Sequence, residues 1–315
     1  MSCFNPHVVQ MPQEGSDRKR PIFRKDWEAR WKNNNIVLPD NLDLLPCSRC
    51  LGCKAKHARE WGNRCMNEAS LYRSNLFVTF TYAPKYLPKY SQLNKRDMQL
   101  FWKRLREQFP GRRIRYYMCG EYGPKFKRPH YHACVFNLEL DDLTYWKTKN
   151  KNDYYRSERL EKIWGKGMVV IGKVTHESAA YVARYSLKKR HGEQAHKHYT
   201  VYDKENGRVV RYQTEYSQAS TGRGIGFEWY QKYKTDLYPS DQYVMNGFVG
   251  KPPRYYDRLL EAENPEMYAL VKAKRKEVIS KKASTLEYRH LKAKERVTRQ
   301  RMQRLVRMLE TEMEH

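Results

Sequence analysis

Two histidines separated by a single residue, His130 and His132, follow the carboxylate of Glu121 after a short turn-forming segment. Alternate side chains of a β-strand point to the same face, so both imidazoles can share one divalent cation. If residues 123–129 form a hairpin loop centred near Lys125, Glu121 pairs opposite His130 and adds a third ligand. Such a set leaves coordination positions open for water or substrate. The pattern predicts a metal site on a hairpin; two exposed histidines beside a turn are the alternative interpretation.

A pair of tyrosines further along the chain supplies groups that could act as nucleophiles. The segment after Thr175 is rich in helix-forming residues, and Tyr181 and Tyr185 are one helical turn apart on it. A phenol oxygen can attack a DNA phosphorus and form a phosphotyrosine bond, while a divalent cation polarises the scissile phosphate. Lys188 follows Tyr185 and can pair with that phosphate or assist proton transfer. The chain has 25 tyrosines, so simple packing of this pair is the alternative.

Both features belong to a wider likeness to a known family. The stretches that carry it are residues 47–53, 77–82, 120–123, 128–132, 224–226 and 252–256. They resemble the replication initiators of gokushovirus-like Microviridae, which are single-stranded DNA phages, and so the HUH endonucleases that start rolling-circle replication. By this resemblance His130 and His132 are the expected metal-binding histidines, and Glu121 the acidic third ligand. Tyr181 and Tyr185 fall on the family's two catalytic tyrosines.

The resemblance implies an HUH DNA endonuclease with nicking and rejoining activity. Such an enzyme uses Mg²⁺ or Mn²⁺, keeps one DNA end as a phosphotyrosine, and frees a 3′-hydroxyl for a host polymerase. Its expected partners are single-stranded or origin DNA and a host polymerase and helicase, in the cytoplasm of a bacterial host. Arg184 stands where single-tyrosine relatives have a lysine, which leaves the order of the tyrosines and the role of Lys188 open. A plasmid relaxase, an HUH transposase, or a non-catalytic, zinc-containing DNA-condensing protein are the alternatives.

The charge of the chain favours a polyanionic partner. Lysine and arginine number 62 against 35 acidic residues, giving a formal net charge of +27 and a pI of about 9.7. Neutralising DNA phosphates releases counterions and supplies affinity, whereas an unpartnered excess of this size repels itself. Aromatic residues make up 13% of the chain and offer faces for stacking on unpaired bases. No apolar run reaches membrane-spanning length, so we expect no membrane partner.

The cysteines suggest a second metal site. There are seven of them, an odd number without a secretory signal, which predicts reduced thiols rather than a disulfide framework. Cys47, Cys50 and Cys53 have a spacing that suits tetrahedral zinc, with Cys65 or His57 as the fourth ligand. Structural zinc and free thiols in a tight turn are the two interpretations.

The order of predicted elements indicates an α+β fold. Strands are expected at residues 76–82, 113–121, 130–138 and 167–174, and helices at residues 94–109, 154–164 and 175–189. This order matches a ferredoxin-like or RRM-like antiparallel sheet backed by helices, the fold that the resemblance also implies. A hairpin at residues 198–212 and a plain loop at residues 221–226 before another helix follow.

Composition divides the chain into four predicted segments. These are a flexible basic arm at residues 1–40, a Cys-rich segment at 41–75, the HUH endonuclease domain at 76–260, and a basic helical C-terminal tail at 261–315. Cys3 falls in the arm. A solvated helix and a DNA- or partner-binding helix are both consistent with the charged tail.

Overall fold

The computed structural model groups the chain into two compact units. It describes residues 3–12, 20–34, 38–39, 41–123, 127–149, 151–185, 195, 199–203, 206–281 and 287–313. One unit comprises Met1–His57 with Asp257–His315, and the other comprises Ala58–Tyr256. Among the described residues, no helix combines the length and the apolar character that a membrane span requires.

The strands and helices are numbered in chain order. The strands are β1 His7–Gln10, β2 Ile22–Phe23, β3 Asp43–Leu45, β4 Asn75–Thr81, β5 Arg115–Tyr122, β6 Pro129–Phe136, β7 Thr144–Lys149, β8 Asn152–Arg156, β9 Val169–Lys173, β10 Thr200–Asp203, β11 Arg208–Arg211, β12 Tyr216–Ala219, β13 Tyr243–Met245 and β14 Phe248–Gly250. The helices are α1 Lys25–Asn34, α2 Leu51–Ala69, α3 Lys95–Gln108, α4 Glu158–Trp164, α5 His176–Tyr185, α6 Phe227–Leu237, α7 Arg254–Glu263, α8 Pro265–Ser280 and α9 Tyr288–Met313.

An antiparallel sheet is the centre of the second unit. Its strand order is β12-β5-β6-β4-β9-β8-β7, and each pair of neighbours runs antiparallel. The four central strands are connected through α3, between β4 and β5, and through α4, between β6 and β9. This is the split β-α-β arrangement of ferredoxin-like folds. The predicted α+β class is therefore confirmed.

One face of the sheet carries a large aromatic and aliphatic core. Phe80 of β4 packs against Phe101, Trp102 and Trp164 of the two connecting helices, at ring centroid distances of 4.6, 6.4 and 5.4 Å. These rings are all buried, and removing such apolar surface from water is the main driving force for folding. Helix α3 begins as predicted after Asn94, whose side chain accepts a hydrogen bond from a first-turn backbone amide at 3.0 Å.

The opposite face of the sheet holds a second apolar cluster with α2 and α5. Ala179, Val182 and Ala183 of α5 are fully buried there, together with Tyr117 and Cys119 of β5. Because two of the three helical residues are alanines, the backbone of α5 comes close to the sheet. This packing places α5 directly on strands β5 and β6.

Two predicted segments differ from the structure. The helix expected at residues 154–164 begins only at Glu158, after Ser157, whose hydroxyl accepts the Leu160 amide at 3.0 Å. The preceding residues Tyr154 and Tyr155 lie in β8, because adjacent aromatic side chains favour a pleated strand that packs on both faces. The hairpin β7–β8 extends the sheet at one edge.

The arm predicted to be flexible is ordered where it is described. In the first unit, β1 is the middle strand of a sheet with the order β2-β1-β3. Val8 is fully buried and packs with Trp31 of α1 and with Leu42 and Leu291. Burial of this apolar set orders the segment despite its polar composition. The C-terminal tail is helical, as predicted, in α8 and α9.

The glycine-rich loop before α6 is a packing element of the second unit. A Cβ atom on Gly224 would lie 2.6 Å from the Tyr255 hydroxyl, and one on Gly226 would lie 2.5 Å from the Tyr256 hydroxyl. Gly226 also has a φ of +82°, a conformation that favours glycine. The guanidinium of Arg64 stacks 3.9 Å from the Tyr255 ring centroid. Two of the stretches that carry the family resemblance therefore pack against each other.

We expect Gly226→Ala to destabilise the protein more than Gly222→Ala. Both glycines have positive φ, at +82° and +89°, but a Cβ on Gly222 meets nothing within 4 Å. Gly222→Ala should cost about 1–2 kcal/mol of backbone strain, and Gly226→Ala about 1–3 kcal/mol more for overpacking. Thermal unfolding of both variants checks this, and equal losses would contradict the packing role.

Candidate active site

The two histidines and Glu121 meet on neighbouring central strands. Glu121 of β5 pairs directly opposite His130 of β6, the register that the sequence predicted. Nε2 of His130 lies 2.6 Å from Glu121 Oε1, and Nε2 of His132 lies 3.0 Å from the same oxygen. The alternation of β6 places both imidazoles on the face that α5 covers. The hairpin therefore aims two ring nitrogens at one carboxylate.

The outer nitrogen of each imidazole has its own partner. Nδ1 of His132 lies 2.9 Å from the hydroxyl of Thr79, and Nδ1 of His130 lies 3.2 Å from the carbonyl oxygen of Arg128. A carbonyl can only accept, so His130 donates from Nδ1 and keeps Nε2 as the ligand atom. Contacts of this kind fix the tautomer and orientation of metal-binding histidines.

The charge on Glu121 is buried and only partly satisfied. Its side chain is 2% exposed. Burial by itself raises the pKa of Glu121, but hydrogen bonds from His130 and His132 outweigh it and hold that pKa below its ordinary value. Its second oxygen, Oε2, is buried and has no hydrogen-bond partner among the described residues. Such an oxygen is costly to bury alone, and a cation would satisfy it.

These three side chains fit a divalent cation. One ligand atom from each lies within 4.8 Å of those of the other two. One carboxylate and two imidazoles leave several coordination positions open for phosphate oxygens or water.

The phenol of Tyr181 reaches the same carboxylate. Its hydroxyl donates a hydrogen bond to Glu121 Oε1 at 3.3 Å. The Tyr181 ring packs edge-on against the His132 ring at a centroid distance of 5.1 Å, and against Phe77 at 6.4 Å. A phenol oxygen thus lies beside the three ligand atoms, on a helix rather than on the hairpin.

The start of α5 holds this helix in place. The backbone amide of Ser178 donates to the Thr175 hydroxyl at 3.2 Å, and the Thr175 amide donates to the Ser178 hydroxyl at 2.8 Å. These reciprocal bonds satisfy amides at the helix start and confirm Thr175 as the predicted cap. His176 forms a hydrogen bond with Asn63 of α2 at 3.0 Å, so it is occupied away from the ligand group.

The remaining predicted residues lie at or beyond the end of α5. Tyr185 is the last residue of the helix, one turn after Tyr181. Lys188 lies outside the described residues.

Thr79 and Phe77 were missed by sequence reasoning. Thr79 pairs opposite His132 in the β4–β6 ladder, and Phe77 stacks on the His132 ring at a centroid distance of 5.8 Å. The sequence signal was a threonine within a strand of large apolar residues, on the same face as Phe77. It could not be used without the order of the strands.

The cysteine cluster differs from the predicted set. Cys47, Cys50 and Cys53 come together with Cys3, which was expected in a flexible arm. Cys65 lies about 18 Å further along α2 than Cys53, by the rise of an α-helix. It is fully buried in the apolar cluster beneath α5, so its prediction as a zinc ligand is wrong. His57, the other predicted ligand, is exposed and does not join the group.

Comparison with known proteins gives a consistent set of relatives. The family model of the phage replication-associated protein ORF2 matches residues 75–190, a range that includes the ligand group and both tyrosines. The chain is 34% identical over 249 residues to the replication-associated protein VP4 of Bdellovibrio phage phiMH2K, which covers 74% of each chain. It is 32% identical over 297 residues to the replication-associated protein ORF2 of Spiroplasma virus 4, covering 88% of this chain and 87% of that protein. No solved structure matches.

We expect Thr79→Val to lower the affinity for Mn²⁺ by about 10–100-fold, because it removes the hydroxyl that orients His132. Isothermal titration calorimetry with Mn²⁺ measures the change. The matched control is Thr81→Val on the same strand, since the Thr81 hydroxyl donates to the Met168 carbonyl at 3.0 Å instead. Similar affinities for the two variants would argue against the orienting contact.

Proposed function

Because the chain belongs to the family of phage replication-associated proteins, we propose that it initiates rolling-circle replication of a phage genome as an HUH endonuclease. In this role it nicks single-stranded origin DNA and later rejoins it through a phosphotyrosine intermediate. The observation that carries the proposal is the Tyr181 hydroxyl, 3.3 Å from the carboxylate that also contacts His130 and His132. A nucleophile and a group of metal ligands are thereby brought to one point.

Glu121, His130 and His132 would hold Mg²⁺ or Mn²⁺, which when bound polarises the scissile phosphate and offsets its developing charge. The protein's own contribution is to fix the ligands before DNA arrives. Thr79 and the Arg128 carbonyl hold the imidazoles, and burial keeps competing water away from the carboxylate.

In the proposed cleavage step the Tyr181 oxygen attacks the DNA phosphorus and its proton passes to solvent. The bond from phosphorus to the 3′ oxygen of the preceding nucleotide breaks, and that oxygen takes up a proton and leaves as a 3′-hydroxyl. The 5′ side of the DNA stays linked to the tyrosine. Attack of a 3′-hydroxyl on this linkage reverses the bond changes and rejoins the strand, with no external energy source.

A second nucleophile would allow a second cut before the first strand is released. Tyr185 is one helical turn from Tyr181 on α5, so it can take part in the same reaction site. Lys188 is proposed, from its sequence position alone, to pair with the phosphate. The free 3′-hydroxyl suits a host polymerase working with a host helicase, in the cytoplasm of a bacterial host.

Single-stranded DNA is the proposed partner, and an edge of the catalytic sheet suits it. In the β7–β8 hairpin, Tyr145 and Trp146 are 62% and 38% exposed. The ammonium of Lys147 lies 4.1 Å from the Trp146 ring centroid. Exposed rings beside cationic side chains stack on unpaired bases and attract the phosphates between them.

We expect a covalent DNA–protein adduct when the full chain is incubated with single-stranded origin-region DNA and Mn²⁺ or Mg²⁺. The adduct should be lost in the double variant Tyr181→Phe/Tyr185→Phe, which removes both nucleophiles, and in His130→Ala, which removes a ligand. A denaturing gel detects the adduct, and the single tyrosine variants show which phenol reacts first.

Tyr145→Phe is the control, because it removes an exposed hydroxyl outside the ligand group. It should form the adduct at the wild-type level. Tight DNA binding without any adduct, across several origin fragments and both metals, would sink the nicking proposal. It would favour the non-catalytic DNA-condensing alternative.

We also expect Trp146→Ala to weaken binding to a single-stranded oligonucleotide by about 1–3 kcal/mol, the range for loss of one stacked base. Fluorescence anisotropy at fixed ionic strength measures it. Leu143→Ala is the control, since Leu143 is 38% exposed in the same region but has no aromatic face. Equal effects of both substitutions would speak against stacking.

A further inference from the structure

Four thiols in the first unit are spaced for a single metal ion. The sulfurs of Cys3, Cys47, Cys50 and Cys53 all lie within 4.8 Å of one another. Cys3 Sγ is 3.5 Å from Cys47 Sγ and 3.7 Å from Cys50 Sγ. Tetrahedral zinc with Zn–S bonds of about 2.3 Å requires sulfurs about 3.8 Å apart, whereas a disulfide requires about 2.0 Å. The spacing matches one shared ion.

Backbone pairing brings these distant cysteines together. Strands β1 and β3 are antiparallel, with His7 opposite Leu45. Cys3 precedes β1 and Cys47 follows β3, so both leave the sheet at the same end. Ser48 then adopts a left-handed conformation with φ of 59°, which turns the chain so that Cys50 precedes α2 and Cys53 lies in its first turn.

Backbone amides point at the sulfurs. The Phe4 amide donates to Cys50 Sγ at 3.2 Å, the Cys47 amide to Cys3 Sγ at 3.3 Å, and the Cys50 amide to Cys47 Sγ at 3.3 Å. A neutral thiol is a weak acceptor, whereas a thiolate is a strong one. The positive end of α2 adds to this environment. Three converging amides are therefore suited to thiolates that bind a metal.

We propose that Cys3, Cys47, Cys50 and Cys53 bind a structural zinc ion. Four protein sulfurs close the tetrahedral shell and leave no position for substrate, which is the property of structural rather than catalytic zinc sites. The ion would tie the segment before β1 to the start of α2. It would thereby hold β1, with the buried Val8 and Val9, in its sheet. This role is independent of DNA nicking.

Zinc release from the full chain tests the assignment. The protein is purified under reducing conditions in a His130→Ala background, which disables the other metal-ligand group. An organomercurial that displaces metals from thiolates is then added, and released zinc is counted with a chromogenic chelator. We expect one equivalent of zinc, and a loss of about tenfold or more in Cys3→Ser.

Cys65→Ala is the matched control, since it removes the cysteine that lies in the apolar cluster instead. It should keep its zinc. Co²⁺ substitution of the Cys3-intact protein provides a second readout, which does not depend on whether Cys3→Ser folds. Four-thiolate tetrahedral coordination gives intense visible and thiolate charge-transfer bands.

Three results would overturn the proposal: no zinc in the reconstituted protein, full zinc content in Cys3→Ser, or cobalt bands of an octahedral site. Each is separate from the adduct assay, which reports on the nicking site alone.

Discussion

The pairing of β5 with β6 is the constraint on which the rest of the site depends. Glu121 stands opposite His130, and a slip of one residue would turn both histidines to the other face of the sheet. That face is filled by the aromatic core, so the slip would bury imidazoles among Phe80, Trp102 and their neighbours. Strand β6 is also paired with β4 on its other side. Two hydrogen-bonded ladders, rather than the loop alone, therefore fix the ligand geometry.

The residue between the histidines shows how one strand serves both faces. Tyr131 is fully buried in the aromatic core. Its hydroxyl lies 3.1 Å from the Tyr82 hydroxyl and accepts the Asn94 amide at 2.8 Å. It therefore anchors β6 to β4 and to the start of α3, while its two neighbours face the opposite side. A large aromatic residue at this position is required by the core as much as the histidines are by the metal.

The parts that the sequence predicted are those governed by local periodicity. The hairpin register follows from strand alternation and a short loop, and the helix with Tyr181 follows from a cap and helical spacing. The parts it did not predict depend on distant pairing. Cys3 joins Cys47 only because β1 pairs with β3. The threonine at His132 needs the β4–β6 ladder.

The error at residues 154–164 has a different cause, because a polar segment with scattered aromatics fits both a helix and an edge strand. The residues of the glycine loop were recognised without their role. Gly224 is required by a tyrosine far along the chain, a packing relation with no local signature.

The nucleophile and the metal ligands belong to different elements, so their separation is a sum of two positions. Strands β5 and β6 set one, and the seat of α5 on them sets the other. That seat is formed by Ala179 and Ala183, which are fully buried. Two methyl groups thus act as the spacer that determines the reach of the phenol. Reaction geometry can be retuned in this scaffold by side chains that never touch nucleic acid.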